Sequence, residues 1–468
     1  MARDYLAMTI AGLSSMSSGM HYGWTSTALP QLVGNGSHIP TTSEDEYWIS
    51  VSYFGGSLIA SALASFLMRY IGQKGVIIFA TLLLIISWVI IACAQSIAEI
   101  IIARTFSGAG DAILLCALTV YVAEISKPSL RGFFLSSMMV YGMLGILAEN
   151  VIGTFATFRT CAIISAAVPS AVFLLLFFVP ESPYRLVSKG NMDGARTALR
   201  KLRNTDVVDD ELERILSMIY DEKVSVSTYL RLFTSSYNRR TIYICFTLIS
   251  VHVFSGNIVF IFHTQEIFQD VGGPLENWIS SLIYLTAQLV FTLLGLALVD
   301  KYGRRPLLLI STVGVTLSLA IESVYFYLKD GLHLNMESVN FIPLVGMMLF
   351  LLGFSVGLQI IPVVISGELF APNVKFFALS LYEGYFCVIS VVGLKLFQIS
   401  LDAYGLYAPF SLFTLCGFFG FLFVYYCVPE TKQKTLEAIQ MEIVGKSEKL
   451  AIPSSRLLGS RQTAQTKS

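Results

Sequence analysis

Six polar side chains interrupt otherwise apolar runs: His21, Asn150, His252, Asn257, Gln288 and Gln359. None carries a fixed charge, so what they offer is hydrogen bonding to a neutral polar ligand, not bond-making. Each also has a plainer reading as a polar residue bonded to a backbone carbonyl or a neighbouring helix. A second group of ten charged residues is Arg104, Glu124, Arg131, Glu181, Asp300, Arg304, Arg305, Glu368, Lys375 and Glu430. Carboxylates and guanidiniums at helix ends tie neighbouring helices together in one arrangement only, which makes them state-dependent latches; a role in topology alone is the competing reading. No metal-ligand cluster, Gly-Lys phosphate loop or nucleophile–base spacing is present, and the seven cysteines show no paired spacing. Catalysis, a cofactor and a structural metal therefore have no support in the sequence.

The elements that must position these residues are membrane helices. Of 468 residues 55% are hydrophobic and 13% charged, with mean hydropathy +0.69, more apolar surface than a water-soluble chain of this length can bury. The net charge is zero, which gives a nucleic-acid partner no electrostatic footing. A bilayer core needs roughly 20 apolar residues per helix, and twelve such runs are expected: 6–30, 47–67, 75–95, 100–124, 132–155, 160–180, 240–264, 277–299, 306–328, 340–367, 376–400 and 405–428. Lys and Arg fall in alternate loops, at Arg69 and Lys74, Lys127 and Arg131, Lys301 to Arg305, and Lys375. Basic loops stay in the cytoplasm, so both termini are expected there. The first external loop then carries Asn35-Gly36-Ser37, a glycosylation acceptor motif.

Polar words recur at matching places. Val179-Pro-Glu-Ser-Pro-Tyr-Arg185 and Val428-Pro-Glu-Thr-Lys-Gln-Lys434 each close a block of spans, and Arg69-Tyr-Ile-Gly-Gln-Lys74 matches Asp300-Lys-Tyr-Gly-Arg-Arg305. Glu124 precedes Arg131 by seven residues, as Glu368 precedes Lys375. The expected organisation is an all-α membrane protein of twelve transmembrane helices in two pseudo-symmetric six-helix bundles, 1–180 and 240–428, joined by a cytoplasmic linker at 181–239 and followed by a tail at 429–468. The linker contains helix-compatible stretches at 193–203 and 210–216, and the end of the tail has a disorder-prone composition. Parallel repeats of this kind place a binding cavity between the halves and expose it to each side in turn.

These words resemble the sugar porter family of the major facilitator superfamily, most like insect facilitated trehalose transporters, over residues 8–440. The motifs are Arg104-Thr-Phe-Ser-Gly108, Tyr121-Val-Ala-Glu124 through Arg131-Gly132, Gly145-Ile-Leu147, Pro180-Glu-Ser-Pro183, Asp300 to Arg305, Gly367-Glu368-Leu-Phe370 and Pro429-Glu-Thr431. The resemblance implies the major facilitator fold and facilitated movement of a sugar, trehalose or a hexose, across the plasma membrane, with no cofactor and no obligate protein partner. Two other readings stay open: a sensor that binds without transport, and a carrier of a non-carbohydrate solute.

The binding positions depart from the family. Met138 replaces a fifth-span Gln, His252 and Val253 a seventh-span Gln pair, Ile258 an Asn, Gln288 an Asn, and Gln359-Ile-Ile-Pro362-Val363 a Gly-Pro-Ile-Pro-Trp word. His21 stands where proton-linked members have Asp, which favours uncoupled movement. In the first-half loop Arg69 replaces Asp and Gln73 replaces Arg. Glu383 and Lys395 share the eleventh span about 18 Å apart, too far to pair.

Overall fold

The computed structural model describes residues 2–33, 41–126, 131–203, 208–221, 236–262, 277–334, 341–370 and 375–432, with a few isolated positions between them. Asn35, His263 and the tail beyond 432 lie outside the described residues, as do the side chains of Arg131, Asp300 and Lys375.

Every described element is helical. The first part of the chain forms α1 (Ala2–Val33), α2 (Ser43–Cys93), α3 (Ile97–Ile125), α4 (Arg131–Phe155), α5 (Phe158–Ser165) and α6 (Ala167–Leu176). Three short helices follow, α7 (Pro183–Ser188), α8 (Met192–Arg203) and α9 (Asp209–Asp221). The second part comprises α10 (Ser236–Val253), α11 (Asn257–Phe262), α12 (Asn277–Tyr302), α13 (Arg304–Phe326), α14 (Ile342–Val356), α15 (Ile361–Leu369), α16 (Lys375–Tyr404) and α17 (Tyr407–Cys427).

Among the described residues nine helical stretches are long and apolar enough to cross a membrane. Three expected spans fall on helices that do not meet that measure: 6–30 on α1, 47–67 on the first limb of α2, and 240–264 on α10 and α11. The cause is visible in α1, which buries Ser14, Ser15, Ser17, Ser18, His21, Thr25, Ser26 and Thr27. A helix facing other helices exchanges hydrogen bonds where a lipid-facing one must be apolar.

Several expected spans are broken. The second and third are two helical limbs of α2 that meet at a kink at Gly72, whose backbone (φ 82, ψ 167) is not helical. The seventh breaks at 254–256, where Gly256 has φ 88. The tenth breaks at 357–360 and restarts with Pro362 in its first turn, where a missing N–H costs no helical bond. Sequence reasoning anticipated this last kink but not the break at Gly256, the α5–α6 break, or the π-helical turn at Tyr327–Gly331.

The stretches 193–203 and 210–216 are helical as expected, and α7, α8 and α9 bury Val187, Ala195, Leu199, Val208, Leu212 and Ile215 together. Arg203 fixes them, pairing with Glu211 at 2.7 Å and donating to the carbonyl of Ile125 at the end of α3 at 2.9 Å.

The two parts of the chain meet along α2 and α16. Lys395 Nζ lies 4.2 Å from the Tyr47 ring centre, Phe386 packs on Phe54 at 6.1 Å, and Gly384 faces Leu58 and Ser61. The pairs run antiparallel from Tyr47 to Ser61, about 21 Å along the helix. Lys395 thus covers an aromatic face of the other half.

Candidate solute-binding site

Gln288 on α12 is 1% exposed, and neither its amide oxygen nor its amide nitrogen has a protein partner. One turn on, the Thr292 hydroxyl is shared between the Gln288 carbonyl oxygen at 2.7 Å and Gln359 Oε1 at 2.9 Å. Gln359 Nε2 reaches Met143 Sδ of α4, in the other half, at 3.6 Å. Gln359 owes its place to the helix break before it: a Cβ on Gly357 would lie 2.5 Å from Ser311 Cβ, and Ser311 Oγ accepts from the Leu358 N–H at 2.9 Å. His252 joins the same corner, its Nδ1 2.8 Å from the Leu358 carbonyl oxygen and its ring 5.2 Å from Phe354.

Asn257 is buried at the start of α11 with its Oδ1 unbonded. Asn150 is buried on α4, its Nδ2 donating to the Ile146 carbonyl at 3.0 Å and its Oδ1 unbonded. An amide left unpaired away from water costs roughly 1–3 kcal/mol. The Gln288 amide, unbonded at both ends, is a surface that a hydroxyl-bearing ligand would relieve.

His21 lies elsewhere. It is fully buried within the first part of the chain, stacked 4.0 Å from Trp88. Beside it Arg104 Nη1 donates to the His21 carbonyl at 2.6 Å and Nη2 to Thr25 Oγ1 at 2.9 Å. Arg104 therefore does not join the helix-end charges with which the sequence grouped it. Twenty residues of α3 separate it from Glu124, about 30 Å.

Sequence reasoning passed over Asp111, two turns beyond Arg104. Its oxygens accept from Ser18 Oγ and from the Tyr53 hydroxyl, the latter at 2.5 Å. A carboxylate inside the 100–124 run was itself the signal. Glu149, Glu322 and Glu383 went unread as sites in the same way. Glu149 accepts from Cys161 Sγ at 3.0 Å and Ser165 Oγ at 2.6 Å, and Glu322 packs against Gly346.

Glu124, Glu181, Arg304, Arg305, Glu368 and Glu430 gather at two matching helix junctions. In one, Arg304 Nη2 pairs with Glu368 Oε1 at 2.8 Å, Thr431 donates to Glu368 Oε2 at 2.5 Å, and Glu430 accepts the backbone N–H groups of Arg304 (3.1 Å), Arg305 (3.0 Å) and Lys432 (2.8 Å). Burial works against the Glu430 charge, but those amides and that of Thr431 outweigh it and hold its carboxyl below the usual range. In the other, Gln73 Nε2 donates to Glu124 Oε1 at 3.0 Å, Ser182 donates to Glu124 Oε2, and Glu181 accepts the N–H groups of Lys74 (3.5 Å) and Ser182 (3.2 Å).

Comparison with known proteins identifies the architecture. A family profile described as Sugar (and other) transporter matches residues 7–442. The chain belongs to that family. Its relatives include the facilitated trehalose transporters Tret1 of Drosophila willistoni (30% identical, covering 95% of this chain and 52% of that one), Aedes aegypti (30%, 95% and 56%) and Bombyx mori (29%, 95% and 88%). The chain thus spans about half the length of the first two and most of the third. The inward-open conformation of the Escherichia coli xylose transporter XylE superimposes with TM-score 0.78 at 20% identity, over 93% of this chain and 99% of that one. XylE, described as a proton:xylose symporter and bound to 6-bromo-6-deoxy-D-glucose, gives 0.77 at 20% identity over 94% and 98%. This family member has the major facilitator fold.

Proposed function

We propose that the protein carries a sugar, trehalose or a hexose, across the plasma membrane by alternating access and facilitated diffusion, and that it is not an enzyme. The observation that carries the reading is the Gln288 amide, buried and unbonded beside the Thr292–Gln359 contact. Gln288, Gln359, His252, Asn257 and Asn150 supply neutral donors and acceptors of the kind that sugar hydroxyls require, and His21 lies behind Arg104 as a more distant member. Twelve crossings organise the chain as bundles 1–180 and 240–428 around the 181–239 linker, with the 429–468 tail and both termini in the cytoplasm and Asn35 glycosylated outside. Glu124, Arg131, Glu181, Asp300, Arg304, Arg305, Glu368, Lys375 and Glu430 form the cytoplasmic latches. Arg104 belongs to the opposite side, where Tyr22, Tyr53, Phe54 and Phe262 meet.

Proteoliposomes holding the purified chain test the reading. Saturable flux of labelled trehalose or hexose, lost in Gln288→Ala at equal incorporation, is the expected result. Binding without flux would make the protein a sensor, and flux of only non-carbohydrate solutes would overturn the sugar assignment.

A further inference from the structure

Tyr53 is held at both ends inside the first half. Its hydroxyl donates to Asp111 at 2.5 Å, and the Arg104 guanidinium lies 4.8 Å from its ring centre. Asp111 and Arg104 are seven residues apart on α3, about 10 Å of rise, so the tyrosine bridges two charges that do not pair directly. The bridge is dry: Asp111 is 7% exposed, Tyr53 2% and Arg104 0%. It also depends on an approach that only glycine allows. A Cβ on Gly108 would lie 1.8 Å from the Tyr53 carbonyl oxygen, and one on Gly56 would lie 2.1 Å from that of Thr105.

The outer surface of this bridge receives a residue from the other half. Phe262, the last residue of α11, is fully buried with its ring centre 4.8 Å from Tyr22, 5.6 Å from Phe54 and 6.4 Å from Tyr53, and 6.0 Å from the Arg104 guanidinium carbon. These contacts fill the space between the halves about 15 Å inside the ends where α1 finishes and α2 begins. An aromatic plug of this kind stays shut only while the rings it sits on keep their places.

We propose that Asp111 is the positioning residue of this plug: by fixing the Tyr53 hydroxyl it keeps the seat for Phe262 rigid and holds the external side of the carrier closed. The role goes beyond recognition of the solute, which the Gln288 region supplies, and it needs no solute to be observed. Opening must withdraw Phe262 from Tyr53, and a Tyr53 no longer anchored to the carboxylate yields more readily.

Ser50 provides the reporter. It lies on α2 between Tyr47 and Phe54, three and four residues from them, on the stripe that faces α16, and it is 1% exposed with an unbonded hydroxyl. In a Ser50→Cys background, labelling by a membrane-impermeant maleimide added outside is followed at this one peptide by mass spectrometry in cells. Tyr53→Phe keeps the ring and removes only the hydroxyl. It should raise the labelling rate about tenfold, the scale of losing a bond to a charged group. Asp111→Asn, which keeps an acceptor oxygen but removes its charge, should act in the same direction, and the double variant should label no faster than the stronger single one, because both changes act on one bond. Lower surface expression with an unchanged labelling rate at the reporter position would reduce Asp111 to a folding residue and overturn the proposal, as would additive effects. Where Asp111→Asn fails to reach the membrane, Tyr53→Phe alone decides.

Discussion

The two helix junctions share a skeleton and differ in charge. Gly72 (φ 82, ψ 167) and Gly303 (φ 97, ψ 172) adopt the same backbone conformation, and each turns the chain directly into a helical limb whose first amides meet a carboxylate, Glu181 in one junction and Glu430 in the other. Unpaired amides at a helix start favour an anion, so the arrangement is intelligible from the backbone alone. What differs is the next layer. Arg304 places a guanidinium on Glu368, whereas Gln73 offers Glu124 a neutral amide from the matching position. The duplicated geometry survives the exchange of arginine for glutamine at this position, which locates the scaffold in glycine and capping carboxylate.

Removing the long side chain from each junction should break this comparison most sharply. The Arg304 and Glu368 side chains are 13% and 30% exposed, between the fully buried pairs whose disruption costs about 3–5 kcal/mol and exposed pairs worth about 0–1 kcal/mol. Arg304→Ala should destabilise the purified protein by about 2 kcal/mol in thermal unfolding, and Gln73→Ala by about 1 kcal/mol or less. Equal losses would mean that the ion pair adds nothing to the shared skeleton.

The glycines come next. Both occupy a backbone region that other residues enter at about 1–3 kcal/mol, but their surroundings differ. A Cβ on Gly303 would lie 2.8 Å from Glu430 Oε2, while one on Gly72 would meet nothing closer than Arg185 Nε at 3.2 Å, the flexible end of a side chain. Gly303→Ala should therefore lower the melting temperature more than Gly72→Ala. The reverse order would show that the capping carboxylate moves aside freely.

Residue type makes plain why the junctions were legible in the sequence and the interior was not. The words around Gly72, Gly303, Glu181 and Glu430 recur because backbone geometry demands glycine and a carboxylate at fixed spacing, so their role can be read without a structure. The break at 357–360 was legible through Gly357 and Pro362. Arg104 was misplaced because a motif says which residue is present but not which membrane face it occupies, and twenty residues of α3 put it at the far end from Glu124. Asp111 went unread because its partners, Ser18 and Tyr53, come from two other helices. The Gln288–Gln359 neighbourhood likewise depends on Thr292 standing between them, which no linear spacing announces.

A pH series sharpens the comparison on its capping side. Because the amides hold the folded Glu430 carboxyl below its ordinary 4.5, its stabilising effect is complete above that value and is lost as pH falls through the lower folded one. Melting temperatures taken from pH 7 down to about pH 3 should stay level for this contribution to about pH 4.5 and fall below it. Glu430→Gln should start lower at pH 7 and lose less over the acid end. Parallel curves for the two proteins would remove Glu430 from the account of that junction.

The smallest expected effect comes from rewriting the weaker junction as the stronger one. Arg69 is exposed, and Arg185 donates to the carbonyl oxygens of Arg69 and Tyr70 at 2.7 and 2.8 Å. The Arg69 side chain is thus not what holds the turn, and a carboxylate there would sit on the surface, where a new pair is worth little. Gln73 is the more telling position: its amide already reaches Glu124, so Gln73→Arg can reproduce the Arg304–Glu368 contact without moving the backbone. If the latch limits the transport cycle, Arg69→Asp combined with Gln73→Arg should raise sugar uptake a few-fold at equal surface expression. Most of that gain should persist in Gln73→Arg alone, because the acceptor is already in place. Unchanged uptake in both variants would mean that glutamine in place of arginine at this position of the first half has no functional consequence.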